Sequence, residues 1–188
     1  MNRVSEPQVF YTVPDGTDVS PFLNATDINR ADVPWGVVGD MSIAAGRVRP
    51  GVWSAVHVHL VVTQVTYVLS GRLTVRMKEE GANEFYDLAL KSGQAVLTKP
   101  RTLFQLRNEG SVTAAVLYIV SPSYVVEMDA DTVVYDDAVV VAKSWEELEA
   151  RAYDVPALAI SATEAEARRA EAKHRLAAMK ASSCAPKG

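Results

Sequence analysis

The sequence has one cysteine in 188 residues, Cys184, so no internal disulfide can form and the fold does not depend on an oxidising compartment. It lacks a basic excess: 19 lysines and arginines stand against 23 acidic residues, for a net charge of -4. That balance argues against a nucleic-acid surface. No window reaches eighteen uninterrupted apolar residues, which argues against a membrane span. The start, Met-Asn-Arg-Val-Ser-Glu-Pro-Gln, has neither the apolar stretch nor the cleavage site of a secretory signal. A soluble cytoplasmic protein with no nucleic-acid or membrane partner is expected. No Ser-His-Asp arrangement, phosphate-cradling glycine loop or pair of carboxylates with an evident role stands out.

What the chain does have is a 48% hydrophobic content, enough for one domain with a core and terminal extensions. Residues 1–34 are rich in turn formers, such as Pro14-Asp15-Gly16, and read as an irregular arm with room for one or two short strands. From Trp35 to about residue 135, short apolar runs alternate with turn signals such as Pro50-Gly51, Ser70-Gly71 and Ser92-Gly93. Spacing of roughly 8–12 residues predicts an all-β barrel or sandwich rather than βαβ units. The clearest predicted hairpin joins Val65–Leu69 to Leu73–Met77 through Ser70-Gly71. Residues 136–188 read as a helical extension. Ser144 with Glu147, and Ser161 with Glu164, have capping-box spacing. A short helix is expected over residues 145–151, and a long one over the Ala-, Glu-, Arg- and Lys-rich stretch to Lys180.

Of three histidines, two form a pattern: Gly51, five residues, His57, one residue, His59, four residues, Gln64, six residues, Gly71. Residues at i and i+2 of a strand project from one face, so His57 and His59 point together, with Trp53 on the same face if the strand is regular. Two neutral imidazoles held rigidly side by side suit a first-row transition metal. The amide oxygen of Gln64 is a third candidate ligand, and Thr66 follows it on its face. His174, in the Ala-rich helix, is expected in solvent.

The pattern resembles the first motif of the cupin superfamily, Gly-x5-His-x-His-x(3,4)-Glu-x6-Gly. Every spacing matches, with Gln64 in place of glutamate. The second cupin motif, Gly-x5-Pro-x-Gly-x2-His-x3-Asn, matches in part: Gly93 to Asn108 has the right span, Pro100 is one place late and no histidine is present. In the ungapped register Phe104 takes the histidine's place, and anchoring on Pro100 gives Gln105 instead. Strand parity puts Phe104 with Leu106 on the more apolar face and favours Phe104 inward, with Gln105 kept as a further ligand candidate.

The resemblance, over residues 40–125, implies a double-stranded β-helix (jelly-roll) barrel, commonly dimeric. It implies one divalent metal ion (iron, zinc or nickel) on His57, His59 and Gln64. The implied function is a metal-dependent enzyme acting on a small, hydrophobic or aromatic, oxygen-rich metabolite, either as an oxygenase or as a redox-neutral cyclase or isomerase. A non-catalytic small-molecule-binding or regulatory protein is the alternative. Trp53, Thr66, Phe104 and Arg101 are candidate substrate contacts, and Arg47, Arg49 and Lys99 are further possible anion anchors. With an amide for the carboxylate and no histidine at the fourth ligand position, the ligand set carries no charge, which leaves positions open to substrate and weakens metal retention.

Overall fold

The computed structural model describes residues 6–7, 9–24, 41–129, 132–135 and 137–183. The expected domain boundaries at Trp35 and residue 136, and Cys184, lie outside the described residues. In chain order the strands are β1 (Tyr11–Thr12), β2 (Asp18–Asn24), β3 (Ser42–Val48), β4 (Val56–His59), β5 (Thr63–Ser70), β6 (Arg72–Lys78), β7 (Tyr86–Lys91), β8 (Ala95–Thr98), β9 (Leu103–Arg107), β10 (Ala114–Ser121), β11 (Val126–Asp129), β12 (Thr132–Tyr135) and β13 (Ala138–Ala142). Helices α1 (Trp145–Ala150) and α2 (Ala162–Ser183) follow, with a 3₁₀ turn at Pro156–Ala159 between them.

The strands form two antiparallel sheets, ordered β1-β2-β3-β10-β5-β8 and β13-β4-β9-β6-β7, beside a small β11-β12 pair. This is the all-β jelly-roll architecture. The pleat explains how the sheets meet. Along β10, buried and partly buried residues alternate without interruption, as expected of a strand with one face on a core. The inward residues of both sheets, among them Val68, Val75, Phe104, Leu106 and Val116, make one apolar cluster. A second cluster lies on the outer face of β4 and β9, where Val56, Val58 and Leu103 pack under Trp145, Leu148 and Ala165 from the helices.

Both helix starts use their expected caps. Ser144 Oγ accepts from the backbone N–H of Glu147 at 3.3 Å, and Ser161 Oγ from that of Glu164 at 3.2 Å. Among the residues of the long helix whose burial is described, the buried ones are Ala165, Arg169 and Ala172, the i, i+4, i+7 face of a surface helix.

Two sequence expectations change. Val65–Leu69 and Leu73–Met77 do not pair as a hairpin: β5 pairs with β8 and β10, while β6 pairs with β7 and β9 in the other sheet. Ser70-Gly71 is a corner between sheets, with Gly71 at φ 82° and its Cα face pressed on the backbone of Thr113 and Ala114. A two-residue glycine turn serves a hairpin or a corner equally well, and only the partners on either side decide. The C-terminal extension, read as helical, also adds a strand to a sheet, while the N-terminal arm forms two strands as expected. Residues 18–24 pair with β3, and Ala138–Ala142 is the neighbour of β4, with Val140 opposite His57 and Ala138 opposite His59.

Gly46 of β3 sits where a Cβ would overlap the Tyr118 ring and stand 2.7 Å from Val116 Cγ2. Gly46→Ala is therefore expected to cost about 1–3 kcal/mol through overpacking, measured by urea unfolding. An unchanged midpoint would show that Tyr118 yields freely.

Candidate functional site

His57 and His59 lie on the inward face of β4, their ring centroids 5.6 Å apart. They reach a cavity of about 90 Å³ that Asp15, Gln64 and Tyr124 also line, with an otherwise largely aliphatic wall. That is room for several waters or a small metabolite.

Each polar group there has a defined orientation. His57 Nδ1 lies 3.0 Å from the carbonyl oxygen of Ala55. A carbonyl only accepts, so Nδ1 carries the proton, and in the neutral ring the Nε2 lone pair faces Asp15 Oδ2 at 3.8 Å. Gln64 Nε2 donates to Thr66 Oγ1 at 3.1 Å, which turns its carbonyl oxygen toward Tyr124. The Tyr124 hydroxyl donates to Gln64 Oε1 at 3.0 Å and lies 3.1 Å from His59 Nε2.

The turn between β4 and β5, which sets the distance from His59 to Gln64, is held by Asp137. Its carboxylate accepts the N–H groups of Val61 and Val62, each at 3.0 Å. Burial pushes the Asp137 carboxyl up, with those amides and Arg169 opposing the shift. Arg169 of α2 in turn donates to the carbonyl of Ser123, one residue before Tyr124.

Phe104 occupies the place the second motif gives to histidine. It pairs with His57 across β4 and β9, its ring centroid 4.0 Å from that of His57 and 5.1 Å from that of His59. The register is marked by Arg101, which stands at the motif's glycine position with φ 66°. A non-glycine residue there carries backbone strain. Arg101 N–H donates to His59 O at 2.6 Å, and its guanidinium holds Glu80 and the carbonyls of Leu158 and Ile160.

Four candidates are placed differently from the sequence expectation. Arg101 faces Glu80 and the C-terminal segment, as a clamp and not as an anion anchor for the cavity. Gln105 is buried on the opposite face of β9, where it donates to Ser54 O at 2.7 Å and accepts from Arg107 Nε. Trp53 is 50% exposed and stacks on Arg107 at 4.3 Å. Regular strand β4 begins only at Val56, so i, i+2 parity does not extend back to Trp53. Thr66 is buried inside the barrel but acts on Gln64 and not on the cavity space. Of the other cations, Arg47 stacks on Phe10 and Arg49 pairs with Asp18, Lys99 is exposed, and so is His174 on α2. Asp15 and Tyr124 join the site without any spacing signal. Pro14-Asp15-Gly16 reads only as a turn, and nothing around Tyr124 marks it.

The donor set bears on whether a metal fits. His57 presents the ligand tautomer, while His59 and Gln64 converge on one point, now held by the Tyr124 hydroxyl. Among the described residues no three His, Cys, Asp or Glu side chains form a metal-ligating cluster. As donor types, two imidazoles and an amide oxygen lining one cavity suit a weakly held divalent ion, without the charge that a carboxylate would add.

Residues 46–120 match the family model described as Cupin domain. No curated protein matches the chain. Among solved structures, the capsular polysaccharide assembling protein CapF from Staphylococcus aureus is similar at 13% identity with a TM-score of 0.52, over 72% of this chain and 34% of that one. A Drosophila melanogaster CENP-C cupin domain aligns at 17% identity and TM-score 0.49, over 63% of this chain and 75% of that chain. An oxalate oxidase aligns at 21% identity and TM-score 0.49, over 60% and 53%. The chain spans about a third of CapF, and at 13% identity the likeness shows the fold alone. No helix among the described residues is long and apolar enough to cross a membrane.

Burial, and then the neighbouring His57, hold the His59 imidazole well below its ordinary value of 6.5. As pH falls below that value, an unfolded His59 takes up a proton before the folded one does. The contribution of His59 to stability is therefore fully present above pH 6.5 and declines below it. The slope from this group is at most about 1.4 kcal/mol per pH unit. Subtracting the urea-unfolding profile of His59→Gln from that of the wild type is expected to isolate this slope. Parallel profiles would show that His59 is not buried neutral.

Proposed function

The chain belongs to the cupin superfamily, and on that premise we propose that it is a metal-dependent enzyme for a small, oxygen-rich metabolite, with a divalent ion held by His57, His59 and the amide oxygen of Gln64. The observation that carries this is the pair of imidazoles on one buried strand face, opening on a shared cavity, with His57 Nε2 freed by the Nδ1 contact to Ala55 O. A binding protein for an apolar molecule has no use for that arrangement. When bound, the ion supplies Lewis acidity toward a carbonyl or enol oxygen, or a site for dioxygen.

The protein's own residues supply the rest. Phe104 and the aliphatic wall exclude water from one side of the imidazoles. Thr66 fixes the Gln64 amide with its oxygen toward the histidine side. The Tyr124 hydroxyl, beside His59, is the nearest proton-bearing group and can donate to a substrate oxygen once it leaves Gln64. The cavity volume favours a metabolite of few heavy atoms. A large aromatic one would require the wall to open.

A second reading, metal-free binding of a small molecule, is favoured by the Tyr124 contact itself, because the hydroxyl already satisfies both His59 and Gln64. The two readings separate by metal analysis of freshly purified protein and of the His57→Ala/His59→Ala double variant. The expected result is a bound divalent ion in the wild type and little in the variant. Iron or nickel would point to oxygen chemistry, and zinc to a cyclase or isomerase. Equal metal in both proteins, or none in the wild type after zinc is added, overturns the metal reading.

Phe104→His, which restores an imidazole 4.0 Å from His57 in ring-centroid terms, is expected to tighten zinc binding at least about tenfold. Titration by calorimetry reads this, and an unchanged affinity would place the ion away from Phe104.

A further inference from the structure

We propose that Asp15, on the N-terminal turn, supplies the carboxylate that the barrel's own ligand set lacks and holds the divalent ion together with His57. This rests on the reading of a metal at the two histidines, and it changes what the site would accept.

The geometry begins with two side chains that face each other. With Nδ1 on the Ala55 carbonyl, the His57 ring turns Nε2 toward Asp15 Oδ2, 3.8 Å away. That separation is too long for a hydrogen bond. It is within the span of one shared cation, since zinc takes nitrogen and carboxylate oxygen ligands at about 2.0–2.2 Å each.

The carboxylate is also prepared for the task. Asp15 Oδ1 accepts from both the N–H and the hydroxyl of Thr17, each at 2.8 Å, which leaves Oδ2 for His57. The Asp15 carbonyl accepts the N–H of Ala55 at 2.7 Å, so the turn is fastened to the segment leading into β4. Its side chain is 11% exposed. A carboxylate with little exposure, with one oxygen fixed and the other turned toward an imidazole nitrogen 3.8 Å away, is placed to share a cation with that ring. Asp18, three residues on, shows the contrast: Thr12 and Arg49 satisfy it outside the cavity.

The consequence is a charge of -1 for the ligand set where the barrel residues alone give none. A divalent ion there then leaves the site at +1 and not +2, so it depends less on an anionic substrate for charge balance. Small neutral hydroxy- or keto-compounds become acceptable, and carboxylate substrates lose part of their advantage.

Zinc titration by calorimetry of the wild type, Asp15→Asn and Asp18→Asn tests this. The amide introduced by Asp15→Asn retains an oxygen for Thr17, and thermal unfolding followed by circular dichroism checks that the fold is intact. The expected outcome is zinc binding weakened at least about tenfold in Asp15→Asn and unchanged in Asp18→Asn. Cobalt(II) absorption gives a second readout: a shift in the visible bands in Asp15→Asn alone supports direct ligation. Equal zinc affinity in Asp15→Asn and wild type overturns the Asp15 assignment, leaves the ion on His57, His59 and Gln64, and points to a proton shared with His57. No zinc binding by the wild type overturns both the assignment and the reading beneath it.

Discussion

Strand β4 carries two imidazoles on one face and two valines on the other, and all four side chains are buried. The faces need opposite surroundings. Val56 and Val58 need an apolar cover, which Trp145, Leu148 and Ala165 provide from the C-terminal segment. His57 and His59 need hydrogen-bond partners or a cation, because a buried polar group without one costs a few kcal/mol. Strands β9 and β13 pair with β4 on either side and hold its register. Much of the remaining architecture meets these demands. The helices roof the outer face, and the barrel closes over the inner one.

The partners of the inner face come from distant parts of the chain. Ala55 fixes the His57 tautomer from the same segment, and Asp15 approaches from the N-terminal turn. Tyr124 approaches from the loop after β10, and Asp137 holds the turn that spaces His59 from Gln64. Arg169, on the same helix face as the buried Ala165 and Ala172, reaches the carbonyl beside Tyr124. Arg101 plays a similar part on the other side. It keeps a left-handed backbone at a position suited to glycine, and its side chain recovers the cost by tying the barrel to the 3₁₀ turn.

Much of this was legible beforehand where the signal is local. The spacing Gly51, His57, His59, Gln64, Gly71 identified the strand–turn–strand unit. Parity along residues 103–108 gave Phe104 the same face that the packing gives it. Ser144 and Ser161 marked the helix starts through their capping hydrogen bonds. Where the signal depended on partners, it failed. The Ser70-Gly71 turn looked like a hairpin because hairpin and corner make the same local demands. Trp53 looked inward because parity assumes a regular strand, and β4 starts only at Val56. Arg101 looked like an anion anchor because its charge is visible in sequence, while the carbonyls and carboxylate that consume it are not.

The sequence by itself determined the fold class, the pairing of His57 with His59 and the loss of charge at Gln64, because each follows from period-two geometry and side-chain chemistry within a few dozen residues. Only the tertiary structure decided which other groups meet those histidines. Asp15 is separated from His57 in the chain by strands β2 and β3, and Tyr124 from His59 by most of the barrel. Their approach depends on how two sheets close on each other. No local pattern encodes that closure, and it turns an uncharged pair of imidazoles into a site with a carboxylate and a phenol within reach.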